Sequence, residues 1–131
     1  MTDLDTLGDA TYVSLTTIKR DGTPVTTPVW VARGGDHLYV TTPRETGKVK
    51  RLRHTSRVLL APCDVRGQVK GPHVEGTARL MDAEGSEHVL RLVDAKYGLV
   101  SKVMGFLDVK VRNRGRTQER IGIEIAVSDD A

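Results

Sequence analysis

Aromatic side chains make up 4 % of this 131-residue chain, and none lies between Tyr39 and Tyr97. Proteins that bind single-stranded nucleic acid stack bases on aromatic platforms set beside their cations, so this gap argues against a nucleic-acid partner. There is one cysteine, Cys63, which excludes an internal disulfide. It sits in the apolar run RVLLAPC, a context for a buried thiol rather than a nucleophile. No apolar run approaches the roughly 20 residues that cross a bilayer. The first residues, MTDLDTLGDA, lack the basic and apolar regions of a signal peptide. A cytoplasmic protein without a membrane partner is therefore expected. Gly-x-Ser-x-Gly, Cys-x-x-Cys and Walker-type motifs are missing, which removes the main signatures of nucleophilic, thiol-redox and nucleotide-hydrolysing enzymes. His37, His54, His73 and His88 lack the spacing of metal ligands, so no metal is expected.

Hydrophobic residues account for 38 % and charged residues for 28 %, the balance of an ordinary globular domain. The length suits a single domain spanning residues 1–131. Twenty basic against 17 acidic residues give a formal charge of only +3, so the distribution of charge matters more than its sum. Two places concentrate the cations. The stretch TTPRETGKVKRLRHTSR, residues 41–57, holds six Lys or Arg against one Glu, and KVRNRGR, residues 110–116, holds four with no anion.

The hydrophobic pattern is mostly that of strands. TYVSLTTIKRDGTPVTTPVWVARGGDHLYVTT reads as three, broken at Asp21-Gly22 and at Gly34-Gly35-Asp36. On the second of these, Val25, Thr27, Val29 and Val31 share one face, and Thr26, Pro28, Trp30 and Ala32 the other. Pro28 removes a ladder donor and so belongs at a sheet edge or bulge. RVLLAPC, HVEGTARLM and ERIGIEIAV supply three more strands. Helical patterns occupy the segment after Thr46, with Val49 and Leu52 facing inward, and residues 83–97, with Gly98 as a stop. A continuation through Val103, Phe106 and Leu107 follows. Six antiparallel strands with two or three short helices favour a small closed or partly open barrel over a parallel sheet.

The basic stretch now poses a problem. A helix N-terminus carries partial positive charge, and cations in its first turn are disfavoured by about 0.3–1 kcal/mol. Yet Gly47, Lys48, Lys50 and Arg51 open this helix, and only Glu45 offers compensation nearby. The order becomes sensible if an external anion binds the free N–H groups of Gly47 and Lys48 together with the Lys48 and Arg51 side chains, with Thr41 and Thr42 at the strand end completing a phosphate cradle. A solvated basic helix face is the plainer alternative. Trp30 next to Pro28 reads either as a core aromatic or as an apolar wall for a flat ring.

The run from Tyr12 to Met81, and above all the segment from Tyr39 to Arg57, resembles the split-barrel flavin and deazaflavin oxidoreductases related to pyridoxamine phosphate oxidase. It is most similar to the branch using the deazaflavin coenzyme F420. That resemblance implies a mostly β, six-stranded antiparallel split barrel of the FMN-binding type, assembled as a homodimer with the cofactor at the interface. It implies that Thr41, Thr42 and Lys48 hold the cofactor phosphate, with Lys50 and Arg51 as helpers, and that the ring lies against Thr27, Pro28, Val29 and Trp30. FMN users of the family commonly carry Arg and Lys on the second strand, whereas TTPVWV has neither, so F420 is favoured over FMN. Lys50, Arg53 or the 110–116 loop would then meet the anionic tail. The implied activity is hydride transfer from reduced deazaflavin to a small organic acceptor. A non-catalytic F420 carrier or sensor and an FMN-dependent oxidase or reductase are the alternatives. No catalytic residue is assigned; Tyr12, Tyr39 and His73 are candidate proton donors.

Overall fold

The computed structural model describes residues 2–98 in full, the helical backbone of 99–103, and residues 120–127. Chain order is α1 (Asp3–Asp9), β1 (Tyr12–Ile18), β2 (Pro24–Val29), β3 (Ala32–Gly34), β4 (His37–Pro43), α2 (Gly47–His54), β5 (Arg57–Cys63), β6 (Val74–Leu80), α3 (Ala83–Val103) and β7 (Arg120–Val127). The strands form one sheet in the order β2-β1-β5-β6-β7-β4-β3, with every pairing antiparallel.

The two edges of this sheet, β2 and β3, are consecutive in sequence and separated only by Trp30 and Val31. Three Cα steps span at most about 11 Å. A flat seven-stranded sheet would hold its edges about 29 Å apart. The sheet must therefore curl until its edges nearly meet, which makes the split barrel a consequence of that two-residue link. The same link raises the expected count of six strands to seven among the described residues. The second predicted strand does not continue through Val31 and Ala32; it leaves one edge after Val29 and joins the other at Ala32.

Pro28 stands on edge strand β2, whose single partner is β1, so its missing N–H costs the ladder little. The β1–β2 turn closes with Gly22 at φ 90° and the Asp21 carboxylate accepting from Thr23 N–H at 2.9 Å. A helix not foreseen from the sequence, α1, begins with a capping box. Thr2 Oγ1 accepts from Asp5 N–H, and Asp5 Oδ2 accepts from Thr2 N–H, both at 3.1 Å.

Val13, Leu15, Leu38, Val40, Val58, Leu60, Ile123 and Ile125 fill the barrel, joined by Leu52 of α2. On the outside, α3 lays Val89, Val93 and Tyr97 over Ala32 and Tyr39. Gly98 does not stop α3 as expected. Interior glycine costs a helix about 1 kcal/mol, and the apolar face packed on the sheet outweighs that. The predicted continuation through Phe106 and Leu107 and the basic loop 110–116 lie outside the described residues. Cys63 is buried, and burial pushes its thiol up from the ordinary value, consistent with an inert side chain.

Candidate anion and cofactor site

Strand β4 delivers the chain to the site. Its alternation sends Leu38, Val40 and Thr42 into the barrel and Tyr39 and Thr41 outward. Thr41 and Thr42, adjacent in sequence, therefore face opposite sides of the sheet. Thr42 is buried. Thr41 is engaged by the last strand: Arg120 Nε donates to Thr41 Oγ1 at 3.3 Å and Arg120 Nη2 to Thr41 O at 3.1 Å.

After β4 the chain turns into α2 at Thr46, which has the extended backbone of an N-cap (φ −122°, ψ 162°) but makes no capping bond with its side chain. Thr46 Oγ1 is buried without a partner. A helix start leaves its first N–H groups unsatisfied, so those of Gly47 and Lys48 remain for an acceptor from outside the helix. The first turn holds no acidic residue.

Arg51 bends back over this N-terminus. Its Nε donates to Thr17 Oγ1 on β1 at 2.5 Å. A Cβ placed on Gly47 would stand 2.6 Å from Arg51 Nη1, so the guanidinium occupies the room that glycine leaves. Lys48 lies half-buried beside it. Burial, and then the charge of Arg51, hold the Lys48 ammonium below its ordinary value. Among the described residues no carboxylate pairs with either cation, although ion pairs form elsewhere at Arg57–Glu75, Arg79–Glu124 and Arg91–Glu87. Val49 and Leu52 anchor the helix in the core, whereas Lys50, Arg53 and His54 are exposed.

The β2 residues divide by the same alternation. Thr27 and Val29 pair with Leu15 and Val13 and face inward; Pro28 pairs with Ser14 and faces outward. Thr27 Oγ1 is buried without a partner, two residues along the ladder from the Thr17 hydroxyl that holds Arg51. Trp30 lies flat on Tyr97 of α3, with centroids 4.3 Å apart and planes 2° from parallel. One face of its indole is thus committed to the protein.

The candidate proton donors are scattered. Tyr39 donates its hydroxyl to Glu124 Oε2 at 3.0 Å under α3, and burial followed by Glu124 pushes its pKa up. Tyr12, at the start of β1, pairs with Cys63 of β5, and His73 is exposed before β6. A groove of about 380 Å³ lined by Thr2, Asp3, Asp5, Arg33, Asp36 and Val127 shares no residue with the cation pair, and its carboxylates suit an anion poorly. Sequence reasoning missed Thr17, Arg120 and the idle Thr46 hydroxyl. Alternation along β4 was the signal that Thr41 needs a partner on the other face. The Thr17–Arg51 contact depends on tertiary packing and left no trace in the spacing.

The residues present fit an anionic, phosphate-bearing cofactor. Two cations that no carboxylate among the described residues pairs with, an uncapped helix start and the orphaned Thr27 and Thr46 hydroxyls together call for the negative charge and acceptors that such a group supplies.

A family model described as pyridoxamine 5′-phosphate oxidase matches residues 4–124. No curated protein matches. Among solved structures, a protein called F420 reductase is 17 % identical with a TM-score of 0.61, covering 95 % of this chain and 92 % of that one. A conserved hypothetical protein from Mycobacterium tuberculosis is 21 % identical with a TM-score of 0.67, covering 100 % and 82 %. An FAD-binding protein from Mesorhizobium loti is 17 % identical with a TM-score of 0.63, covering 95 % and 84 %. At these identities the likeness speaks for the fold.

Proposed function

Because the chain belongs to the pyridoxamine 5′-phosphate oxidase family, we propose that it is an oxidoreductase that binds coenzyme F420 and passes a hydride from the reduced deazaflavin to a small organic acceptor. The observation that carries the proposal is the Lys48–Arg51 pair, two cations at an uncapped helix start with no carboxylate beside them among the described residues. The Gly47 and Lys48 N–H groups, the Lys48 and Arg51 side chains and the Thr46 hydroxyl hold the phosphate, with Thr42 behind them at the end of β4. Thr41, on the outer face with Arg120, serves a neighbouring part of the ligand. Exposed Lys50 meets the anionic tail.

The outward side of Pro28 and Trp30 supplies an apolar wall for the ring, while Thr27 and Val29 support it from within the barrel. When bound, the deazaflavin supplies the hydride chemistry. The chain's own contribution is to orient the ligand, exclude water from one side of it and balance its charge. Assembly as a homodimer, with the cofactor at the interface, belongs to the same reading. FMN is disfavoured because β2 offers neither Arg nor Lys. A non-catalytic carrier or sensor of F420 is the second reading.

Titration with F420 and with FMN, followed by ring fluorescence, tests the assignment. Tight F420 binding is expected. Loss of a charge-assisted contact worth about 1.5–3 kcal/mol in Lys48→Ala weakens it at least tenfold. Selective FMN binding overturns the cofactor choice. Turnover of reduced F420 with a panel of enones and quinones then separates enzyme from carrier.

A further inference from the structure

The link between the two sheet edges is held from outside by one turn of α3. Lys96 Nζ donates to three backbone carbonyls: Gly8 O at 2.8 Å, Ala10 O at 2.7 Å and Val31 O at 2.7 Å. Its neighbour Tyr97 accepts from Val31 N–H at 3.0 Å, and its hydroxyl lies 2.8 Å from both Thr11 O and Val31 O. Both polar groups of Val31, freed from ladder pairing where the chain changes edges, are thereby satisfied. The Tyr97 ring is buried, carries Trp30 flat against it, and has the Lys96 ammonium 5.0 Å from its centroid.

Three carbonyls around one ammonium are a demanding arrangement. An exposed lysine loses side-chain freedom to reach even one, whereas this one joins the end of α1, the segment entering β1 and the β2–β3 link. What these groups converge on is the peptide of Val31 and the plane of Trp30. We propose that Lys96 and Tyr97 are positioning residues, which fix the Trp30 indole so that the face opposite Tyr97 meets the ring of the bound cofactor. The inference rests on the reading of Trp30 as the ring wall, and it adds a device, built from α3, that no reading of the basic helix requires. Lys96 and Tyr97 touch no ligand themselves; they act through Trp30.

Trp30 is the single tryptophan of the chain, so intrinsic fluorescence and near-ultraviolet circular dichroism report on it directly. The variants are Lys96→Met, which keeps the aliphatic stem, and Tyr97→Phe, which keeps the stacking ring and removes the hydroxyl. Folding is checked by far-ultraviolet circular dichroism. In either folded variant the tryptophan signal is expected to lose near-ultraviolet ellipticity and gain acrylamide quenching. The F420 dissociation constant is expected to rise about five-fold or more with a shifted ring absorbance, while competition by inorganic pyrophosphate at α2 is unchanged. Lys96→Arg, which retains a donor, restores part of both signals. If Lys96→Met does not fold, Tyr97→Phe carries the test alone.

An unchanged tryptophan signal in a folded variant overturns the clamp. A loosened tryptophan with unaltered ring spectrum and affinity overturns the positioning role. Failure of the unaltered protein to bind F420 or FMN is a separate result: it removes the cofactor reading, and the ring-positioning role with it, even where the tryptophan signal shows the clamp intact.

Discussion

The Arg51 guanidinium lies in the space that a side chain at residue 47 would fill, 2.6 Å from where a Gly47 Cβ would stand. Helical residues four apart are neighbours on the surface, but here the longer side chain reaches the other's backbone because glycine presents nothing to stop it. The contact leaves the Arg51 guanidinium beside the first residue of its own helix while its Nε is tied to Thr17 on β1.

Gly47→Ala therefore separates anion binding from folding. Gly47 is the first residue of α2, where alanine gains less than the ~0.5–1 kcal/mol it is worth over glycine in a helix interior, and the obstructing atom is the far end of a flexible side chain that can swing aside. Thermal unfolding is expected to show equal or slightly higher stability. Titration with inorganic pyrophosphate or F420 is expected to show affinity several-fold weaker. Equal affinity in the alanine variant means that Arg51 does not face the ligand.

Lys48 sets a pH dependence with opposite signs for folding and for binding. Its ammonium is held below the ordinary 10.5 in the folded chain, by burial first and by Arg51 second. Between that lowered value and 10.5 the unfolded chain binds more protons, so the stability of the free protein rises with pH across this window. Anion affinity needs the charged form and falls across the same window. Lys48→Met is expected to flatten both curves, raising the stability of the free protein while weakening the ligand. Denaturation midpoints and affinities measured from pH 7 to 10.5 check the pair of slopes.

Much of this was legible in the sequence because alternation and turn chemistry are local. The β1–β2 turn at Asp21-Gly22, the edge position of Pro28, the inward pair Val49 and Leu52, and the alternation of Ile121, Ile123 and Ile125 all follow from neighbours within a few residues. The break at Trp30 and Val31 did not, because its cause lies on α3, where Lys96 and Tyr97 satisfy the groups that leave the ladder. Gly98 misled for a related reason, since helix propensity is a weak prior beside an apolar face buried on a sheet. The misplaced cations at 48 and 51 were visible at once; their tie to Thr17 and the idle Thr46 hydroxyl required the fold.

Asp5 ties the capping box of α1 to Arg33 on β3, and its pKa is lowered to about 2 from 3.8. The backbone N–H of Thr2 is the largest cause, followed by the hydrogen bond from Arg33. A carboxylate lowered in this way contributes stability above 3.8 that disappears as pH falls towards 2. Urea midpoints between pH 5 and 2 are expected to decline less steeply in Asp5→Asn than in the unaltered chain. Parallel curves mean that the contact persists in the unfolded state or does not form.

Gly122 on β7 tests how closely α3 must approach the sheet. A Cβ there would stand 2.7 Å from Val89 Cγ2, 3.0 Å from Val89 Cβ and 3.1 Å from Ser86 Cα. The last of these is backbone, so no side-chain rotation relieves it. The Gly122 N–H also donates to Ser86 Oγ at 2.8 Å within the same buried contact. Gly122→Ala must push α3 off β7, an overpacking cost of about 1–3 kcal/mol, whereas Ser86→Ala leaves the buried Gly122 N–H without its acceptor, a similar cost of about 1–3 kcal/mol, but moves nothing. The helix carries Lys96 and Tyr97 on the same rigid rod, so displacement at its start is expected to reach Trp30 as well. In urea denaturation both variants should lose stability, but the tryptophan emission of Gly122→Ala should shift where that of Ser86→Ala does not. A Gly122→Ala protein with unaltered stability places α3 further from the sheet than this packing requires.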